Sequence, residues 1–162
     1  MEQDKILLTN LPIIHILSAM GSVVVFWTLQ LVVYPLYTNI EPSKFASLFN
    51  SNIFFLIGLV LVLLLVDTST VIKLLFNISD VDFHKYVRQS FILLLGELSV
   101  FLFMQLPLFY LLKNNYNQDQ LRLLINFNYF ILFFATLRIP SLFRMINHFQ
   151  YMSQNAGKSD LT

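Results

Sequence analysis

The chain has no cysteine and little charge. The first absence excludes disulfides, thiolate metal sites and cysteine nucleophiles, although it leaves the redox compartment open. Charged residues make up 12% of the 162 positions, about half the share of ~25% in an ordinary soluble domain. The formal net charge is +1, and Lys and Arg form no dense block, so the electrostatic footprint of a nucleic-acid binder is missing. No phosphate loop, nucleophile elbow or pair of metal ligands at helical spacing occurs, so the sequence assigns no metal, no cofactor and no catalytic residue. A cleavable leader is not expected either. Glu2 and Asp4 stand where a basic n-region would, and the apolar block that follows is too long for an h-region.

What fills the chain is apolar: 57% of residues are hydrophobic, with 17 Phe among them. They are gathered into four long blocks, not scattered as the stripes of a soluble fold, and this points to lipid as the solvent. The blocks run from about Leu11 to Tyr37, Ile53 to Phe76, Phe91 to Leu112 and Leu123 to Ile146. Each can cross ~30 Å of hydrocarbon as a helix rising 1.5 Å per residue. Asn10 and Pro12 read as the start of the first helix and Pro35 as its end. Short polar connections, Thr38 to Asn52, Asn77 to Ser90 and Lys113 to Arg122, make neighbours antiparallel. The expected architecture is therefore all-α: an integral-membrane, up-down transmembrane bundle of four antiparallel helices, one domain over residues 1–152. A polar tail over 153–162 is expected to be disordered.

Basic residues suggest an orientation. Lys5, Lys73, Lys85, Arg88, Arg144 and Lys158 fall on the side of the termini, and Lys44, Lys113 and Arg122 on the other. With Arg138 set aside as intramembrane, six against three accounts for all ten Lys and Arg and puts both termini in the cytoplasm by the positive-inside rule.

Ionisable groups inside spanning helices are costly and turn inward. His15, Asp67, Glu97 and Arg138, one from each block, fall at similar depth, roughly 6 to 10 Å from the same boundary by helical rise. A proton relay, a ligand clamp and a self-satisfied ion network that fixes helix register are all compatible with two acids, a permanent cation and an imidazole. Taken alone, His15 reads as a hydrogen-bonded interior histidine before an axial haem ligand. Nearer the opposite face lies an uncharged layer of Gln30, Tyr34, Gln105 and Asn128, suited to hydrogen bonding across helices or to lining a small-molecule pocket. Pro107 and Pro140 lie within the third and fourth blocks, where they can kink a helix.

The run Trp27-Thr28-Leu29-Gln30-Leu31-Val32-Val33-Tyr34-Pro35-Leu36, with Gln105-Leu106-Pro107-Leu108 and the spacing of Asn128, Tyr129 and Arg138, resembles an uncharacterised family of small bacterial four-helix inner-membrane proteins. That family is itself similar to anthrone-oxygenase-like membrane proteins. The resemblance implies a fold and a bacterial inner-membrane location but no established activity. Asp67 matches the family's acidic residue in the second helix. Departures occur at Phe49-Asn50-Ser51-Asn52, where a histidine-bearing stretch is expected, and at Ile131, where a second arginine is expected. Chemistry that depends on those groups would be lost here.

Two function classes follow. One is a non-enzymatic membrane protein that binds a lipid or small hydrophobic molecule, or supports a membrane assembly as a homo-oligomer or with a partner. The other is a membrane oxidoreductase or oxygenase-like enzyme acting on an aromatic or quinone-like substrate. A proton-coupled transporter fits less well, because four helices without an internal repeat lack the usual architecture.

Overall fold

The computed structural model describes the backbone of residues 2–78 and 80–159, and the side chains of residues 10–41, 44–45, 55–78 and 80–151. Among the described residues there is helix and no strand. The helices form four rods. The first comprises α1 (Glu2–Thr28), a π-helical turn (Leu29–Val33) and α2 (Tyr34–Thr38). The second is α3 (Pro42–Asn77). The third comprises α4 (Val81–Val100), a second π-helical turn (Phe101–Gln105) and α5 (Leu106–Asn114), and the fourth is α6 (Gln118–Ser159). Each rod contains a stretch long and apolar enough to cross a membrane: Asn10–Thr38, Phe55–Asn77, Val81–Asn114 and Gln118–Tyr151.

The rods exceed the apolar blocks at every end. Hydropathy marks where a segment stops suiting lipid, whereas a helix stops where its hydrogen-bond ladder finds a cap. Thus α1 already runs at Glu2, with Asn10 and Pro12 inside it. The loop expected over Thr38 to Asn52 shrinks to residues 39–41, because Pro42 begins α3 directly after the extended Glu41. The loop expected over Asn77 to Ser90 shrinks likewise. Asp80 caps α4 by accepting the Phe83 N–H at 2.8 Å, so ten residues taken as connection are helix. That N–H holds the Asp80 carboxyl below the usual carboxylate range. His148 Nε2 stands 3.1 Å from Asp80 Oδ1, at charge-pair distance but off the hydrogen-bond direction. At the far end, α6 continues to Ser159 through most of the segment expected to be disordered, which contains no proline to stop it; residues 160–162 lie outside the described residues.

Both π turns have a local cause. Pro35 and Pro107 have no N–H to give and crowd the carbonyl four residues earlier. Just before each, the ladder widens to a five-residue step: the Tyr34 N–H bonds Leu29 O, and the Leu106 N–H bonds Phe101 O. Gln30 and Gln105 sit inside these wide turns, and both are buried. Pro12 and Pro140 are accommodated within α1 and α6 without such a turn.

A continuous apolar core runs between the rods, including Phe26, Leu64, Leu94, Phe101, Leu124 and Leu142. Outward faces are equally apolar, with Phe55, Phe76, Phe103, Phe130, Phe133 and Phe143 exposed, a surface far too hydrophobic for water. Gly96 lets α4 and α6 approach: a Cβ there would stand 2.9 Å from the Phe134 ring.

Candidate functional site

At the level of Gly96 the four rods each send polar groups inward. His15 comes from α1, Asp67 from α3, Ser90 and Glu97 from α4, and Arg138 from α6. No member is more than 1% exposed. The Arg138 guanidinium is the junction. One terminal nitrogen donates to Asp67 Oδ2 at 2.5 Å, the other to Glu97 Oε1 at 2.9 Å, and Nε donates to Ser90 Oγ at 3.3 Å. His15 closes the circuit, with Nδ1 2.5 Å from Asp67 Oδ1 and Nε2 3.1 Å from Ser90 Oγ. The path Asp67–His15–Ser90–Arg138–Asp67 is therefore a ring of hydrogen bonds through all four rods. Glu97 is a spur on it, and its Oε2 has no partner.

The backbone beneath this ring is tied down at three positions. The hydroxyl three residues on bonds the carbonyl of the ionisable residue in each case: Ser18 to His15 O at 3.0 Å, Thr70 to Asp67 O at 2.9 Å and Ser141 to Arg138 O at 2.7 Å. These hydroxyls satisfy themselves locally and leave the ring's own groups for each other.

Proton placement follows from donor and acceptor roles. Arg138 Nε can only donate, so Ser90 Oγ accepts from it and can pass its own proton to His15 Nε2, with Nδ1–H donating to Asp67. Ser90–His15–Asp67 has the connectivity of a hydrolytic triad, but its hydroxyl is fully buried and faces a guanidinium, with no space for an acyl carbon. Among the described residues no group of His, Asp and Glu is arranged to hold a metal ion; between Asp67 and Glu97 the place of a cation is taken by Arg138.

The amide layer assembles around Asn128 on α6. Its amide nitrogen donates to Gln30 Oε1 at 2.9 Å and to Phe26 O at 3.2 Å, and its oxygen accepts from Gln105 Nε2 at 3.2 Å. The first, third and fourth rods meet there, at the two π turns. Tyr34, expected in the same layer, is fully buried, but its hydroxyl bonds none of the three amides and has no partner.

Among the described residues, two grooves on the outer surface are lined by no member of the ionic ring. One, of about 390 Å³, runs between α4 and α6 from Gln89, Ser141 and Arg144 to Ile92, Leu93, Leu137 and Pro140. The other, of about 320 Å³, runs between α1 and α6 and is lined by Pro12, Ile13, Ile16, Leu17, Ile146, Phe149 and Gln150.

The structure thus joins His15, Asp67, Glu97 and Arg138, and separately Gln30, Gln105 and Asn128. Ser90 joins the ring although hydropathy alone puts it at the end of the connection from Asn77. Extending the third helix backwards would have found it, since Ser90, Leu94, Glu97 and Phe101 repeat at helical spacing and all are buried. No family model, curated protein or solved structure matches the chain.

Proposed function

We propose that the protein is a multi-pass membrane protein that binds a lipid or small hydrophobic molecule in a groove between its helices. The observation that carries this reading is the α4–α6 groove, polar at one end, apolar along the rest, and open on the outer surface. The ionic ring is sealed, and its role in this reading is to hold four helices in register, as buried polar groups do in other bundles. The proposed topology is an up-down transmembrane bundle of antiparallel helices in a bacterial inner membrane, with both termini cytoplasmic. It is supported by three short connections and by the six-to-three distribution of basic residues. A homo-oligomer or a partner in a membrane assembly is compatible with the apolar outer faces.

A second reading, an oxidoreductase or oxygenase-like enzyme for an aromatic or quinone-like substrate, has one observation in its favour. His15 is held between an acid and a hydroxyl, an arrangement able to pass a proton. An absorbance spectrum of the detergent-purified protein, together with native mass spectrometry, separates the two. Retained lipid without a chromophore is the expected result. A Soret band or bound quinone would replace the binding reading with the enzymatic one.

A further inference from the structure

We infer that the α4–α6 groove is a site for an anionic phospholipid, its phosphate at Arg144 and Gln89 and an acyl chain along Leu93 and Leu137. This deepens the binding reading and rests on it. Arg144 makes no ion pair among the described residues, and its guanidinium carbon lies 5.9 Å from the centre of the Tyr86 ring. A guanidinium steadied over an aromatic face keeps its N–H edge free, the geometry suited to a phosphate. Gln89 lines the same end of the groove and adds an amide donor. Lys85 lies one helical turn before Gln89 on the same row of α4, so a second cation borders this end.

Acidic groups nearby do not cancel this charge. Asp80 is occupied at the α4 cap beside His148, and Asp82 stands in the first turn of α4, a turn beyond Lys85. From Arg144 to Leu137 the groove drops seven residues along α6, ~10 Å at helical rise, and its lining changes from charged to aliphatic. A free phosphate would have no use for that apolar length, whereas a phospholipid uses both ends. The groove also lies over the ionic ring, since Ser141 lines it while bonding the Arg138 carbonyl.

The test reconstitutes the full chain in nanodiscs of phosphatidylcholine with phosphatidylglycerol and measures co-released lipid by native mass spectrometry. The wild type should retain the anionic lipid about fivefold over its share of the bilayer, the factor given by roughly 1 kcal/mol per surface cation. Arg144→Gln should cut the ratio severalfold, leaving only what Lys85 holds, and Arg144→Lys should keep most of it. Leu137→Trp, which fills the apolar end, should lower retention of both lipids. No anionic preference in the wild type, with Leu137→Trp still lowering retention, would overturn the phosphate site and leave the binding reading standing. Retention unaffected by Leu137→Trp would overturn both. Loss of the preference in inorganic phosphate but not in sodium chloride of equal ionic strength, together with lipid retention unchanged by Leu137→Trp, would identify free phosphate as the ligand and overturn the lipid assignment.

Discussion

Arg138 offers three nitrogens to acceptors on two other rods, while Glu97 depends on Arg138 alone. Breaking a buried pair from one side strands the remaining charge and costs about 3–5 kcal/mol. Arg138→Leu should therefore be the most damaging single change in the ring, by roughly that amount in chemical or thermal denaturation of the detergent-solubilised protein. Glu97→Leu should cost less, because Arg138 keeps Asp67 and Ser90. The double variant should cost less than the sum, because Glu97, stranded when Arg138 leaves alone, is no longer there to be stranded; strict additivity would mean that the two do not act as a pair. Asp67 should behave differently, since it receives both His15 and Arg138. These ring members were legible in the sequence because an ionisable residue inside an apolar block is expensive wherever it points. Ser90 was not, because a hydroxyl is cheap at any depth and gives no such signal. The orphaned Tyr34 hydroxyl was also illegible, since its placement depends on the phase of the helix after the π turn.

Along each element, what the sequence reveals is its middle. Four apolar blocks announce four rods, but their ends are decided by single caps such as Asp80 and by prolines such as Pro42, whose effect a hydropathy pattern does not register. Asp80→Ala should destabilise the protein by about 1 kcal/mol, and Asp80→Asn, which can still accept the Phe83 N–H, should recover most of that. The Asp80 carboxyl is held below its unfolded value. The part of its contribution that depends on charge is therefore complete above the unfolded pKa, near 3.9, and is lost as pH falls through the lower folded value. Melting curves of wild type and Asp80→Asn should converge in that acid range, where both side chains are neutral acceptors, while Asp80→Ala stays below both at every pH. Helix contact can be probed with two glycines. At Gly96 an added side chain meets Phe134, while a Cβ at Gly58 meets nothing within 4 Å. Gly96→Val should lower the melting temperature, whereas Gly58→Ala should leave it unchanged or raise stability by up to about 1 kcal/mol, the gain of alanine over glycine in a helix. Equal effects at the two positions would mean that α4 and α6 do not pack through Gly96. The π turns were illegible as such, although the prolines that cause them were plain.

For the whole molecule, the outer surface carries large apolar side chains on every rod while Asp67, Glu97 and Arg138 lie buried between them, the inverse of a soluble bundle. The ionic ring and the amide layer each cross-link three or four rods at different heights, so the helices are fastened at two levels inside the apolar core. That two-level fastening could be expected from residue depth, but the grooves could not, because they arise from how α6 crosses its neighbours. The absence of cysteine makes the proposed topology directly testable, since any single introduced cysteine is the only one in the chain. Asn39 and Asn117 are exposed in the connections expected outside, and Asn77 is exposed beside the connection expected inside. Labelling of Asn39→Cys, Asn77→Cys and Asn117→Cys variants with a membrane-impermeant maleimide, before and after permeabilisation, reads all three. Four spans with both termini cytoplasmic require positions 39 and 117 to label in intact cells and position 77 to label only after permeabilisation. Labelling of position 77 in intact cells, or protection of 39 or 117, would contradict that arrangement.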